Sequence, residues 1–172
     1  MICKTLLRFS VLLAIAVFSL SSCGVYTFTG ATIPPEAKTV SIANFPDLSA
    51  LGSPGLSSDL TNALKDKFSR QTPLMLVTTD GDLAFEGEIR TFTVAPVSIT
   101  GDQQTQSERL TIGVRVVYQS RFEPKNNFDK SFSAYADYNS LTESFESAQS
   151  RMVEEIIEQL VENIFNESVA RW

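Results

Sequence analysis

Residues 109–118 read RLTIGVRVVY, and apolar side chains alternate with mainly polar or small ones along this stretch. A repeat of two places every second side chain on the same face of a β-strand. We therefore predict a strand with one face buried and the other exposed. The buried face consists of the alternating apolar residues Leu110, Ile112, Val114, Val116 and Tyr118.

A second alternating stretch precedes this strand at residues 83–90. The Asp80-Gly81 dipeptide lies between it and a short apolar run at 74–78. An Asp-Gly pair flanked by alternating residues is typical of a two-residue hairpin turn, so we predict that the two runs pair with each other.

The remaining segments of strand character are shorter or lie further along the chain. They are rich in the β-branched and aromatic residues that favour sheets. A polar loop, TGDQQTQS, separates two of the long strands at residues 100–107. The additional predicted strands are residues 25–28, 38–45 and 128–138.

Leucine and phenylalanine recur every three or four residues between about 54 and 71, which predicts an amphipathic helix. Ser53 is a suitable N-cap and Pro54 suits the first helical position, because proline lacks the N–H that would go unpaired there. Pro73 then prevents the helix from continuing.

The longest predicted helix covers about 141–170, and Ser140 with Glu143 fits a capping box at its start. An apolar stripe runs along one side and glutamates occupy the other. The stripe consists of Met152, Val153, Ile156, Ile157, Leu160, Val161 and Ile164, and the glutamates are Glu154, Glu155, Glu158 and Glu162.

The order of these elements is β-β-α-β-β-β-β-α. Each helix and the sheet has one apolar side that must be covered by another layer. We therefore predict an α+β, two-layer sandwich in which two helices pack on one face of a mixed sheet with four strands or slightly more.

The first 22 residues have the composition of an export signal, with Lys4 and Arg8 before a 12-residue apolar run, FSVLLAIAVFSL. That run is too short to cross a membrane as a helix. Residues 20–23 read LSSC, which resembles the bacterial lipobox. The resemblance implies that Cys23 receives a diacylglycerol thioether and, after cleavage before it, an N-acyl chain. The alternative is an ordinary secretory signal in which Cys23 is incidental.

We accordingly predict a signal peptide over residues 1–22 and one mature domain over residues 23–172. In the lipoprotein sorting rule, aspartate after the lipidated cysteine retains the protein in the inner membrane. Gly24 occupies that position here, and it favours the periplasmic side of the outer membrane.

Composition excludes several classes of function. The chain has no histidine, which removes Ser-His-Asp and Cys-His catalysis and the commonest zinc sites. Its only cysteines are Cys3 and Cys23, so no disulfide is expected in the mature domain. A net charge of −6 also argues against nucleic acid as a partner.

Two acidic clusters have both a functional and a structural interpretation. The glutamates of the last helix could hold a cation, but a solvated helix face is favoured because they spread over a wide arc. Glu86 and Glu88 could resemble a catalytic pair, but the two carboxylates of a glycosidase come from separate elements across a cleft. We favour a structural role for both clusters, and predict no enzyme, cofactor or metal site.

Several motifs together resemble the lipopolysaccharide-assembly lipoprotein family, LptE. After the lipobox, the similarity runs through CGVYTFTGATIPPEAKTVSIANF, LTNALKDKFSRQT and LVTTDGDLAFEGEIRTFTVAPVSI. It continues through RLTIGVRVVY, FDKSFSAYADY and a terminal helix that ends in ARW. The resemblance covers essentially the whole mature chain.

This resemblance implies a non-enzymatic role. Members of the family occupy the lumen of the outer-membrane barrel LptD, help it to fold, and assist insertion of lipopolysaccharide into the outer leaflet. The alternative is a free periplasmic lipoprotein that binds or carries a lipid or a peptide. A carrier needs a large apolar cavity, whereas a plug needs a filled core.

No family motif identifies the residues that contact lipopolysaccharide. Residues 90–130 hold six basic and four acidic side chains in an otherwise acidic chain. Arg109, Arg115 and Arg121 have the same parity, so they share a face of one strand in the absence of a bulge. Ordinary surface charge is the competing interpretation. The predicted contact residues are Arg115, Arg121, Lys125 and Lys130.

Overall fold

The computed structural model describes residues 33–97 and 106–169. The predicted signal peptide, Cys23, the predicted strand at 25–28 and most of the polar loop at 100–107 lie outside these ranges. In chain order, the elements are β1 (Thr39–Ile42), α1 (Leu56–Gln71), β2 (Met75–Val77), β3 (Leu83–Val97), β4 (Ser107–Ser120), a 3₁₀ turn (Pro124–Asn126), β5 (Phe128–Asn139) and α2 (Phe145–Val169).

The five strands form one mixed sheet in the order β2-β1-β3-β4-β5, which confirms the α+β sandwich. Strand β1 is parallel to both of its neighbours, whereas β3, β4 and β5 form an antiparallel meander. Helix α2 lies mainly over β5 and packs beside α1. Both helices therefore cover the same face of the sheet, and the other face, which we call the open face, carries no helix.

The predicted hairpin between residues 74–78 and 83–90 is wrong, because β1 lies between β2 and β3. The Asp-Gly turn is present, and Asp80 adopts a φ of 55°. The Gly81 N–H donates to the Ser41 hydroxyl at 3.2 Å. A Cβ at Gly81 would lie 2.4 Å from the Ser41 nitrogen, so this turn requires glycine to pass close to β1.

A β-bulge changes the phase of β3. Ile89 pairs with Val114 and Thr91 pairs with Gly113, which leaves Arg90 as an extra residue. Before the bulge the odd-numbered side chains face the helices; after it, Phe92 takes that orientation and is buried. Strict alternation could not predict this reversal.

The core lies between the sheet and the two helices. A chain of aromatic rings crosses it, with the Phe68 ring 4.8 Å from Phe85 and 5.1 Å from Phe165. The side chains predicted from the alternation of β4 are all buried. The predicted stripe of the last helix is also buried, and its four glutamates are exposed, which confirms the helical phase.

Neither predicted N-cap is correct. Helix α1 begins at Leu56 after Gly55, whose φ of 88° is left-handed. Ser53 instead accepts a hydrogen bond from the Gln149 side chain at 3.0 Å. Helix α2 begins at Phe145, and the hydroxyl of Ser144 accepts the Ser147 N–H at 3.3 Å.

The capping-box prediction placed the start of α2 too early, because residues 140–144 form turns. The backbone N–H of Ser140 donates to the Gln106 carbonyl at 3.0 Å. The N–H of Leu141 donates to the Asn139 side chain at 2.9 Å. These bonds continue the end of β5 and delay the helix by one turn.

Candidate functional site

The open face of the sheet presents a row of charged side chains from β3, β4 and β5. Arg109 and Arg115 both lie on this face, as their parity predicts, because β4 pairs with β5 without a register shift. Their acidic neighbours on β5 are Asp137 and Asp129. Cross-strand neighbours of opposite charge stabilise a sheet, and their side chains are close enough for direct contact.

Both arginines make two-pronged ion pairs across the strands. Arg109 reaches Asp137 through Nε at 2.6 Å and Nη2 at 2.8 Å. Arg115 reaches Asp129 through Nε at 2.7 Å and Nη2 at 2.5 Å. Hydrogen bonds from the arginines lower the pKa of each aspartate below its ordinary value. On the open face, the positive charges of these two arginines are therefore balanced by the negative charges of the two aspartates.

The exposed ring of Tyr135 extends this row. The guanidinium carbon of Arg109 lies 3.6 Å from the centre of the ring, which is the geometry of a cation–π contact. Tyr135 remains 50% exposed beneath the guanidinium. The pair forms a flat, partly apolar patch on an otherwise polar face.

The structure does not bring the four predicted lipopolysaccharide-contact residues together. Arg115 lies on the open face, whereas Lys130 lies on the helix side and pairs with Glu167 at 2.5 Å. Arg121 follows the last residue of β4, and Lys125 is exposed in the 3₁₀ turn. The shared face was predicted from the parity of residue numbers alone. That argument holds only within one strand, and β4 ends at Ser120.

An aspartate that sequence reasoning missed connects three segments at one end of the sheet. The Oδ2 atom of Asp82 accepts the backbone N–H of Lys38 at 2.9 Å and that of Thr39 at 3.1 Å. Its Oδ1 atom accepts from Arg121 Nη1 at 3.1 Å. These bonds, the Lys38 N–H foremost, lower the pKa of Asp82. We call this arrangement the Asp82 bridge.

The sequence offered no signal for the Asp82 bridge beyond the Asp-Gly-Asp turn itself. The turn was interpreted as the centre of a hairpin, although its third residue bonds to β1. The Arg121 N–H also donates to the Asp82 carbonyl at 2.9 Å. The bridge therefore ties the start of β1 to the end of β4.

A groove of about 700 Å³ follows the seam between α1 and α2. Asp59, Asp66, Glu154 and Glu158 line it, together with the partly apolar floor at Val153. Among residues 33–97 and 106–169, no group of three or more acidic side chains is arranged to hold a metal ion. The glutamates of α2 form a solvated face in this structure.

Glu86 and Glu88 lie on the open face of one strand. Glu88 Oε1 accepts from Arg90 Nε at 2.7 Å and lies 3.6 Å from Arg115 Nη1. Glu86 is exposed. These positions agree with the structural interpretation, because the two carboxylates are neighbours on a strand and do not face each other across a cleft.

Neither α1 nor α2 combines the length and the apolar character that a membrane-crossing helix requires, and the same holds for every helix within the described ranges.

The sequence matches the LptE family, described as lipopolysaccharide-assembly, over residues 37–168. No curated relative matches it. A neuraminyllactose-binding hemagglutinin homologue from Helicobacter pylori is similar in structure, with a TM-score of 0.51 and 10% identity over 83% of this chain and 88% of that one.

Two lipoproteins of solved structure are also similar. A minor lipoprotein from Acinetobacter baumannii is 15% identical, with a TM-score of 0.46 over 76% of this chain and 91% of that one. Rare lipoprotein B from Shewanella oneidensis is 10% identical, with a TM-score of 0.46 over 76% of this chain and 90% of that one. At 10% identity, the likeness to the hemagglutinin homologue informs on the fold alone.

The family match begins just before β1 and ends in the last turn of α2, so it includes all five strands and nearly all of both helices. It covers well over half of the sequence. The chain therefore belongs to the LptE family of lipopolysaccharide-assembly proteins.

Proposed function

We propose that this chain is a lipid-anchored, non-enzymatic subunit that occupies the lumen of an LptD-type outer-membrane barrel. In this role it helps the barrel to assemble and assists the insertion of lipopolysaccharide into the outer leaflet. The family match over residues 37–168 carries the proposal.

The packing of the domain supports a plug over a carrier of lipid or peptide. The space between sheet and helices is filled by side chains such as Phe45, Leu64 and Ile156, each with no exposed surface. Grooves of about 700 and 650 Å³ lie at the surface and are lined largely by polar and charged groups. A carrier of apolar ligands needs an enclosed apolar cavity, whereas the interior of a large barrel is polar.

The proposal places the anchor at Cys23, with diacylglycerol on its sulfur and an acyl chain on its nitrogen. Each buried methylene contributes about 0.8 kcal/mol, and two chains are enough for stable attachment. Gly24 supports the outer membrane as the destination, with the domain on the periplasmic side.

Co-purification tests the barrel partner. We expect a tagged copy of the full chain, extracted in mild detergent, to bring an LptD-type barrel with it in a fixed ratio, identified by mass spectrometry. The control carries residues 1–32 on an unrelated domain, which keeps the signal and the anchor. A folded, membrane-attached chain that elutes without the barrel would contradict the proposal.

Charge reversal tests the contact with lipopolysaccharide. The phosphates of this lipid accept charge-assisted hydrogen bonds from arginine and lysine. We expect Arg115→Glu with Lys125→Glu to weaken binding of purified lipopolysaccharide roughly five- to thirtyfold, because each reversal replaces an attractive contact with a repulsive one. High salt should reduce the difference between variant and native chain.

The matched control for this measurement is Lys65→Glu with Arg70→Glu on α1, which makes the same change in net charge. Circular dichroism checks that both double variants are folded. Equal affinities for the two folded variants would assign Arg115 and Lys125 to ordinary surface charge.

A further inference from the structure

The turn between β4 and β5 holds an apolar ring in solvent. Phe122 is 43% exposed, and Lys125, three residues further along the same turn, is also exposed. We call residues 121–127 the Phe122 tip. An exposed aromatic ring and an exposed ammonium group in one turn match the mixed chemistry of a membrane interface, where rings and lysines meet the headgroup region.

Hydrogen bonds within the turn keep the ring exposed. The Glu123 N–H donates to the Ser120 hydroxyl at 3.1 Å, and the Ser120 N–H donates to the Asn127 side chain at 2.7 Å. The Asn126 N–H donates to the Glu123 carbonyl at 2.9 Å. The backbone of the tip is therefore fixed on both sides of Phe122.

The tip lies beside the point where the described chain begins. Through the Asp82 bridge, the carboxylate that accepts the Lys38 N–H also accepts the guanidinium of Arg121, the first residue of the tip. The Ala37 N–H donates to the Pro34 carbonyl at 2.9 Å, and this turn keeps Pro34 close to Ala37, the residue before Lys38. The segment that leads back to Cys23 thus starts at the same end of the sheet as Phe122.

The length of that segment limits how the domain can stand on a membrane. Ten residues from Cys23 to Ile33 span at most about 33–36 Å when fully extended. The opposite end of the sheet, where β4 begins and β5 ends, is roughly 45 Å away along the 14 residues of β4. Because this segment is shorter than β4, the anchor favours the orientation in which the end of the sheet nearer Lys38 faces the membrane.

A second exposed apolar side chain lies at the anchor-proximal end. The Met75 N–H donates to the Lys38 carbonyl at 2.9 Å, and the Met75 side chain is 69% exposed. Met75 lies on β2 and Phe122 follows the end of β4, so the two residues lie on either side of β1 and β3. Together they give this end of the sheet two apolar contact points.

We propose that the Phe122 tip rests on the phospholipid surface that holds the anchor, with the Phe122 ring at the level of the headgroups and the Lys125 ammonium on a lipid phosphate. The contact applies to the lipoprotein before it joins another protein, and it rests on the proposed anchor at Cys23. It fixes which end of the domain faces the membrane.

Site-specific labelling tests this orientation. The sulfur of Cys23 is blocked by lipid in the mature chain and Cys3 leaves with the signal peptide, so an introduced cysteine is the single free thiol. The lipidated full chain is reconstituted on vesicles of phosphatidylethanolamine and phosphatidylglycerol. Phe122→Cys and the control Leu141→Cys each carry an environment-sensitive fluorophore, since Leu141 is 60% exposed at the opposite end of the sheet.

We expect the label at 122 to shift to the blue and to be quenched by nitroxide-bearing lipids, while the label at 141 does neither. Flotation of the same vesicles distinguishes failure of the anchor at Cys23 from failure of the Phe122 tip contact. If the protein floats but both labels respond alike, or the label at 141 responds more strongly, the tip contact is overturned and the anchor stands. A processed chain that does not float overturns the anchor and the tip contact together.

Discussion

Replacement of Leu160 by alanine is expected to lower the free energy of unfolding by about 2–5 kcal/mol. Leu160 lies in the middle of α2 with no exposed surface and belongs to the core that the helices and the sheet enclose. Truncation removes buried apolar contacts and leaves a cavity, because the rigid sheet below cannot collapse into it. Urea unfolding, followed by circular dichroism, measures this change. The urea concentration at the midpoint should fall, while the dependence of the unfolding free energy on urea concentration stays the same.

The matched control is Glu158→Ala, two residues away on the exposed side of the same helix. Its effect should stay within about 0.5 kcal/mol, since alanine favours helices and no core contact is lost. Losses of similar size at positions 158 and 160 would contradict the burial pattern of α2.

Replacement of Cys23 by serine is expected to abolish acylation and to leave the precursor uncut. A hydroxyl cannot form the thioether on which the later cleavage depends, so the chain should retain residues 1–22. Intact mass and metabolic labelling with a fatty acid measure both effects in one preparation.

Cys3→Ser is the control, because Cys3 lies within the predicted signal peptide and should leave lipidation unchanged. If the Cys23→Ser chain is processed at the usual position and remains attached to the membrane, Cys23 is not the anchor. The ordinary secretory signal would then be the better interpretation of residues 1–22.

Periodicity predicted the elements whose burial repeats without interruption. The alternation at residues 109–118 and the stripe from Met152 to Ile164 were both confirmed, because each belongs to a regular element with one buried side. Strand order was not predictable in the same way. A short strand such as β1 carries no local mark of its two neighbours, and the turn at Gly81 favoured a hairpin that β1 prevents.

The surface was harder to predict than the core. Matching parity placed Arg109 and Arg115 correctly, but parity has no meaning beyond the end of a strand, and Arg121 follows the last residue of β4. The Asp82 bridge depends on a contact between residues 38 and 82. Contacts of that sequence separation follow from the tertiary fold, so no short window of sequence contains them.

The position of β1 has a mechanical consequence. A pull on the chain before Lys38 that is directed along β1 acts parallel to its two neighbours, β2 and β3. Tension in that direction loads the hydrogen bonds of both ladders at the same time, as in shear, and does not open them one after another. The strand nearest the amino-terminal side of the described domain is thus the one arranged to bear load.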